Sequence, residues 1–175
     1  KFLTSGKVKD LYDVDENSLL FEFSDRVSAY DVKFSQDIPK KGKVLCRFAE
    51  FWFDKLEVSN HFISRESDTT ILVKKMKMIP MECVVRGYFY GSLIGRWKNG
   101  SIQLPDNTDT TLAAKLTKPL FDPTTKSEHD VPVDKEMALE MNLVSEEQYV
   151  WLEKTSIDIY EQMASVANDA GFILA

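Results

Sequence analysis

Residues 78–92 constrain this chain more than any other stretch. They run from Met78-Ile79-Pro80 through Met81-Glu82-Cys83-Val84-Val85 to Arg86-Gly87-Tyr88-Phe89-Tyr90-Gly91-Ser92. The apolar start and Pro80 suit a break between two structural units. Residues 81–85 read as a strand that carries Glu82 and delivers Arg86. Six residues later Gly91-Ser92 opens an expected helix over 93–98. A strand that hands an arginine to a helix start makes a workable anion site. The guanidinium offers a bidentate fork, and the helix start offers free backbone N–H groups and a favourable dipole. An ordinary strand-turn-helix with a solvated arginine explains the same residues equally well.

The 175 residues can bury a core, as one domain or as two small lobes. A net charge of −6 argues against nonspecific nucleic-acid binding, yet leaves room for a local basic pocket. No apolar run reaches membrane-spanning length, and the N-terminus does not read as a signal peptide. Cys46 and Cys83 have no metal-ligand spacing and are expected to be buried, reduced thiols of a cytoplasmic protein.

Residues 1–77 read as a mostly antiparallel β lobe with one helix. Strands are expected around 8–14 and 19–23, joined by the turn residues Asp15-Glu16-Asn17. Lys7 and Lys9 beside Gly6 would share one face of the first strand, because side chains alternate along a strand. Two lysines there suit a polyphosphate, or simply a charged solvent face. Ser24-Asp25-Arg26-Val27-Ser28-Ala29-Tyr30-Asp31 is a polar cluster in which Asp25, Ser28 and Asp31 suit either substrate groups or turn and cap positions. Val44, Leu45, Phe48, Phe51, Trp52 and Leu56 recur at helical spacing over 44–57 and are expected to be core. Further strands are expected at 61–64 and 69–74, with His61 structural or exposed. Residues 75–80 then connect to a second, α+β unit over 78–175.

Two prolines make a long regular element unexpected over 118–130, where Lys126, His129 and Asp130 gather on a reactive-looking loop. No zinc-type ligand spacing is present, so no metal ligand is assigned. Asp134 suits the cap of a short helix over 135–141. Ser145-Glu146-Glu147-Gln148 has capping-box form before a long helix that Gly171 would end. Residues 172–175 read as the opening of a buried strand. Such an ending is odd for a complete fold, and the expectation is an incomplete chain.

Four stretches, taken in order, resemble the SAICAR synthetase (phosphoribosylaminoimidazole-succinocarboxamide synthase) family. They are Gly6-Lys7-Val8-Lys9-Asp10-Leu11-Tyr12, the Ser24 to Asp31 cluster, residues 78–92, and Pro123-Thr124-Thr125-Lys126 to His129-Asp130. The resemblance runs from about Gly6 to Ala175. It implies an α+β, two-lobed fold with a kinase-like ATP cleft. The N-terminal lobe, residues 1–77, would be antiparallel β and bind ATP; the C-terminal lobe, residues 78–175, would be α+β and bind substrate. It further implies an ATP- and magnesium-dependent ligase of purine biosynthesis. That enzyme joins L-aspartate to the carboxylate of carboxyaminoimidazole ribonucleotide (CAIR) through an acyl phosphate.

By matched position, Gly6, Lys7, Val8 and Lys9 would cover the ATP phosphates and ribose. Met76 to Met78 would lie beside the adenine, with Glu82 near the nucleotide. Arg86 and Ser92 would bind CAIR, and Ser28 and Asp31 would be further substrate contacts. Lys126, His129 and Asp130 would lie on the catalytic loop. The implied partners are small molecules in the cytoplasm, with neither nucleic acid nor membrane, and a homo-oligomer is left open. Departures from the family pattern stand at Tyr90, at Lys40-Lys41-Gly42-Lys43 and at Val131-Pro132. The family's Asp-x-Lys-x-Glu strand, which brings metal ligands, would begin after Ala175, so this stretch alone is expected to be nearly inactive. Two other readings fit less of the chain. A phosphotransferase lacks the His-Arg-Asp and Asp-Phe-Gly signatures; a non-catalytic nucleotide-binding module or interaction subunit needs only the fold.

Overall fold

A computed structural model describes residues 1–29, 32–127 and 130–175. The expectations for Asp31 and His129 lie outside the described residues. The chain divides into two compact units, Lys1–Lys77 and Met78–Ala175, of mixed α+β structure.

The first unit contains β1 (Phe2–Ser5), β2 (Lys9–Asp13), β3 (Ser18–Phe23), β4 (Ser28–Ala29), β5 (Val32–Lys33), α1 (Lys41–Lys55), β6 (Phe62–Arg65) and β7 (Thr70–Lys74). Five strands form one antiparallel sheet in the order β1-β2-β3-β7-β6, and β4 pairs with β5 separately. Turn chemistry sets the joins. Asp15 accepts from the Asn17 N–H at 2.8 Å between β2 and β3, and Ser67 accepts from the Thr69 N–H at 3.1 Å between β6 and β7. Cys46, Ile71 and Val73 are fully buried. Phe21 and Phe23 of the sheet and Ala49 and Phe53 of α1 pack around them.

The helix expected over 44–57 forms, but it buries a different face. Gly42 and Cys46 are buried, and Ala49 and Phe53 pack on the core. Of the predicted stripe, Val44, Phe48 and Phe51 are exposed, and Trp52 lies partly buried against the Phe51 ring. Both faces are apolar, and the sheet selects the one with small residues. Gly42 shows why: a Cβ built there would lie 2.6 Å from the Phe23 carbonyl oxygen. Burial pushes the Cys46 thiol up. Cys83 is also a free thiol, but it is exposed rather than buried and lies between two strands.

The second unit contains β8 (Met81–Glu82), β9 (Val85–Tyr88), α2 (Ser92–Lys98), β10 (Lys115–Phe121), β11 (Thr124–Thr125), α3 (Lys135–Glu140) and α4 (Glu146–Asp169). The single strand expected over 81–85 is two strands with different partners. β8 pairs with β11 and β9 with β10, both antiparallel. The seven-residue β10 departs from the expectation that prolines would keep this region irregular. A register shift between Lys115 and Leu120 accommodates Pro119, which has no N–H to give the ladder.

Asp134 caps α3 by accepting from the Met137 N–H at 2.8 Å. Ser145 and Gln148 form the expected capping box of α4, and Gly171 takes the left-handed conformation (φ 81°) beyond its end. Residues 172–175 do not form the expected strand. Phe172 and Ile173 are exposed, the Phe172 N–H bonds back to Ala167, and the Tyr160 hydroxyl donates to the Leu174 carbonyl at 2.8 Å. The same hydroxyl lies 1.6 Å from where a Cβ on Gly87 would stand, so α4 meets β9 at bare backbone. Among the described residues, no helix is long and apolar enough to cross a membrane.

Candidate functional site

Arg86 leaves β9 into a braced polar cluster rather than into solvent. Its Nε donates to Asp122 Oδ2 at 2.6 Å and its Nη2 to Ser92 Oγ at 3.0 Å. Asp122 is buried, its side chain only 3% exposed, between β10 and β11. Its other oxygen accepts from Arg96 Nη1 at 2.5 Å, and its own N–H donates to the Val84 carbonyl. One carboxylate therefore serves two guanidinium groups, leaving one net positive charge at the mouth of α2. The structure brings the Arg86 and Ser92 side chains together. Asp122 and Arg96 were missed. Asp122 lies 36 residues from Arg86 between apolar and proline neighbours, so no local signal marks it.

Glu82 and Lys126 are also brought together. Lys126 Nζ donates to Glu82 Oε1 at 2.7 Å, with both side chains substantially exposed. The loop carrying Lys126 and Asp130 is closed at its base, where the Thr125 N–H donates to the Val131 carbonyl and Thr125 Oγ1 accepts from the Val131 N–H. The Lys126 N–H donates to the Pro80 carbonyl, and Asp130 is exposed. Tyr90, one departure from the family pattern, is exposed and disturbs no packing.

In the first unit, Gly6 and Lys9 close a tight turn through a Gly6 N–H to Lys9 carbonyl bond of 2.8 Å. A Cβ on Gly6 would stand 3.3 Å from that same carbonyl. Lys7 lies in the bend before β2, so strand alternation does not place it with Lys9. The Val8 carbonyl accepts from both the N–H and the hydroxyl of Ser24. The Lys9 ammonium stands 4.1 Å from the centre of the Phe21 ring. A recess of about 350 Å³ opens beside the turn, with Gly6, Lys7, Arg26, Lys33 and Asp37 in its wall. Arg26 braces it by donating both terminal nitrogens to Asp10 and one to the Gly6 carbonyl. That guanidinium holds the Asp10 carboxyl below the usual carboxylate range.

Asp25 serves the fold: its carboxylate accepts from the N–H groups of Lys40 and Gly42 and so caps α1. Ser28 lies in β4 opposite Lys33. Met76 and Met78 are exposed at 69% and 71%, free of any core role. Among the described residues, no three His, Cys, Asp or Glu side chains gather as a metal site.

The SAICAR synthetase family profile matches residues 2–175. The chain is similar to the phosphoribosylaminoimidazole-succinocarboxamide synthase of Nitrosopumilus maritimus (strain SCM1), at 74% identity over 175 residues, covering 100% of this chain and 64% of that protein. The corresponding protein of Candida maltosa is 36% identical over 191 residues, with 99% and 65% covered. Among solved structures, SAICAR-synthase from Saccharomyces cerevisiae complexed with SAICAR superposes with a TM-score of 0.84 at 29% identity, over 97% of this chain and 64% of that one. The chain thus spans just under two thirds of the length of these relatives.

Proposed function

This chain belongs to the SAICAR synthetase family, and we propose that the protein it represents is an ATP-dependent ligase joining L-aspartate to CAIR. A CAIR carboxylate oxygen attacks the γ-phosphorus of ATP and displaces ADP. The aspartate amine then attacks the acyl carbon of the resulting acyl phosphate, expels inorganic phosphate and loses a proton. The products are SAICAR, ADP and phosphate. The reading places the protein in the cytoplasm, with small molecules as its partners.

The observation that carries this reading is the pairing of Arg86 with Ser92, braced by buried Asp122. A preorganised guanidinium beside a hydroxyl suits the phosphate or carboxylate of an imidazole ribonucleotide, and such donors cost no reorganisation when the ligand arrives. In the first unit, the Gly6–Lys9 turn and the cations Lys7 and Lys9 suit ATP phosphates, because a glycine lets the backbone come close. Val8, Met76, Met78 and Glu82 belong to the nucleotide set, and Ser28 and Asp31 to the substrate set. Lys126, His129 and Asp130 form the catalytic loop, where Lys126 would stabilise charge building on the transferred phosphoryl group. Magnesium enters this reading only as the ion that accompanies ATP. The described residues do not assemble a site for it, and no step is assigned to it.

The test is ADP release by the protein at its full natural length, with ATP and magnesium, omitting CAIR and aspartate in turn. Release that requires both substrates supports the ligase. Release that ignores either one overturns it.

A further inference from the structure

Arg86, Asp122 and Arg96 raise a question that the proposed ligand alone does not answer. A carboxylate bonded to Arg86 would cancel its charge and compete with any incoming anion. Asp122 is bonded at 2.6 Å and nearly buried, so this competition is built in. The third member alters the balance. Arg96 takes the second oxygen of Asp122 at 2.5 Å, and its side chain is itself only 19% exposed. Two guanidinium groups and one carboxylate keep one net positive charge where a simple pair would keep none.

Geometry points the same way. α2 supplies Ser92 in its first turn and Arg96 one turn later, since residues four apart lie on one helix face. The helix therefore grips Arg86 twice, directly through the Ser92 hydroxyl and indirectly through Arg96 and Asp122. These contacts occupy Nε and one Nη2 proton of Arg86, and leave both Nη1 protons and the other Nη2 proton for a ligand. Arg96 is not placed for its own best bonding. Its Nε is buried without a hydrogen-bond partner, a cost that the pairing of its Nη1 with Asp122 has to outweigh.

We propose that Asp122 and Arg96 are positioning residues for the substrate-binding Arg86: Asp122 fixes its orientation, and Arg96 offsets the negative charge of Asp122, which would otherwise neutralise Arg86. This rests on the assignment of Arg86 to CAIR.

The experiment is steady-state kinetics on the protein at its full natural length, comparing Arg96→Gln, Arg96→Lys and Arg86→Ala, with melting temperatures alongside. Arg96→Gln should raise KM for CAIR about tenfold while KM for ATP stays level, because one charge-assisted contact loses its support. Arg96→Lys keeps the charge and should restore KM for CAIR to within about threefold of the parent. An unchanged CAIR KM in Arg96→Gln, or a rise shared equally by ATP, overturns the inference. So does a rise that lysine fails to rescue. Should Arg96→Gln not fold, Arg96→Lys decides alone, and a tenfold or larger rise there counts against the role. Arg86→Ala separates the two levels. If it leaves KM for CAIR unchanged, the assignment of Arg86 falls; if it raises that KM while the Arg96 variants do not, only the positioning role falls.

Discussion

The imidazole of His61 meets the Phe53 ring edge-on, with 5.1 Å between ring centres. Phe21 flanks it at 5.9 Å, and Phe21 also carries the Lys9 ammonium. Burial, and then the charge of Lys9, hold the His61 pKa below its ordinary value. The sign follows from linkage. Above the ordinary histidine pKa both folded and unfolded chains carry a neutral ring. As pH falls below it the unfolded chain takes up the proton first, so stability drops until the folded pKa is passed. Denaturant midpoints from pH 7.5 to 5 should therefore fall more steeply in the parent than in His61→Phe. Parallel curves would show that His61 contributes nothing to the acid sensitivity.

Gly42→Ala should destabilise the first unit even though alanine is the better helix former. In a helix interior the gain in propensity would be about 1 kcal/mol, and it is smaller in the first turn, where Gly42 lies. Against it stands backbone: the Phe23 carbonyl oxygen lies 2.6 Å from the added Cβ and its carbon 2.9 Å away, and neither can swing aside as a side chain would. The helix must shift from the sheet, at a net cost of about 1–3 kcal/mol. Equilibrium unfolding in urea reads it directly. A midpoint at or above the parent's would mean that the helix slides without penalty.

Lys126→Ala should leave the melting temperature within about 1–2 °C of the parent and yet lower kcat by tenfold or more. The first part follows from the exposure of the Glu82 pair, since such surface pairs are worth about 0–1 kcal/mol. The second follows from the phosphoryl-stabilising role proposed for the lysine. A full kcat would remove Lys126 from the chemistry.

Lys9→Ala should weaken ATP by roughly tenfold to a hundredfold and leave CAIR alone, because a charge-assisted contact is worth about 1.5–3 kcal/mol. Calorimetric titration of each ligand separates the cases. Equal losses for both would point to a collapsed sheet, and no loss would place the nucleotide elsewhere.

Much of this fold is written locally. The capping box at Ser145, the cap at Asp134 and the left-handed Gly171 each depend on residues within four positions, so spacing alone reveals them. Four of the five strands of the first sheet announce themselves through their turns, whereas β1, paired only with β2 at the sheet edge, was not expected. What escaped was long-range choice. α1 has apolar residues on both faces, and only the nearness of Phe23 to Gly42 selects the face carrying Cys46 and Phe53. The break of the central strand at Cys83 depends on which of β10 and β11 lies opposite. In the site, Arg86 and Ser92 are six residues apart and could be read together. Asp122 and Arg96 could not, because a buried ion cluster is defined by packing and leaves no periodic trace.

The close approach of α4 to β9 also restricts how this protein can change over generations. Every amino acid that could replace Gly87 carries a Cβ, and that atom would fall 1.6 Å from the Tyr160 hydroxyl and 2.5 Å from its ring carbon Cζ. Removing the hydroxyl alone would not clear the ring. Position 87 can change only if the Tyr160 ring swings aside or a smaller residue replaces it, and either step gives up the bond to the Leu174 carbonyl. The two sites are therefore epistatic: what position 87 tolerates depends on the residue at position 160 and on where its side chain can go.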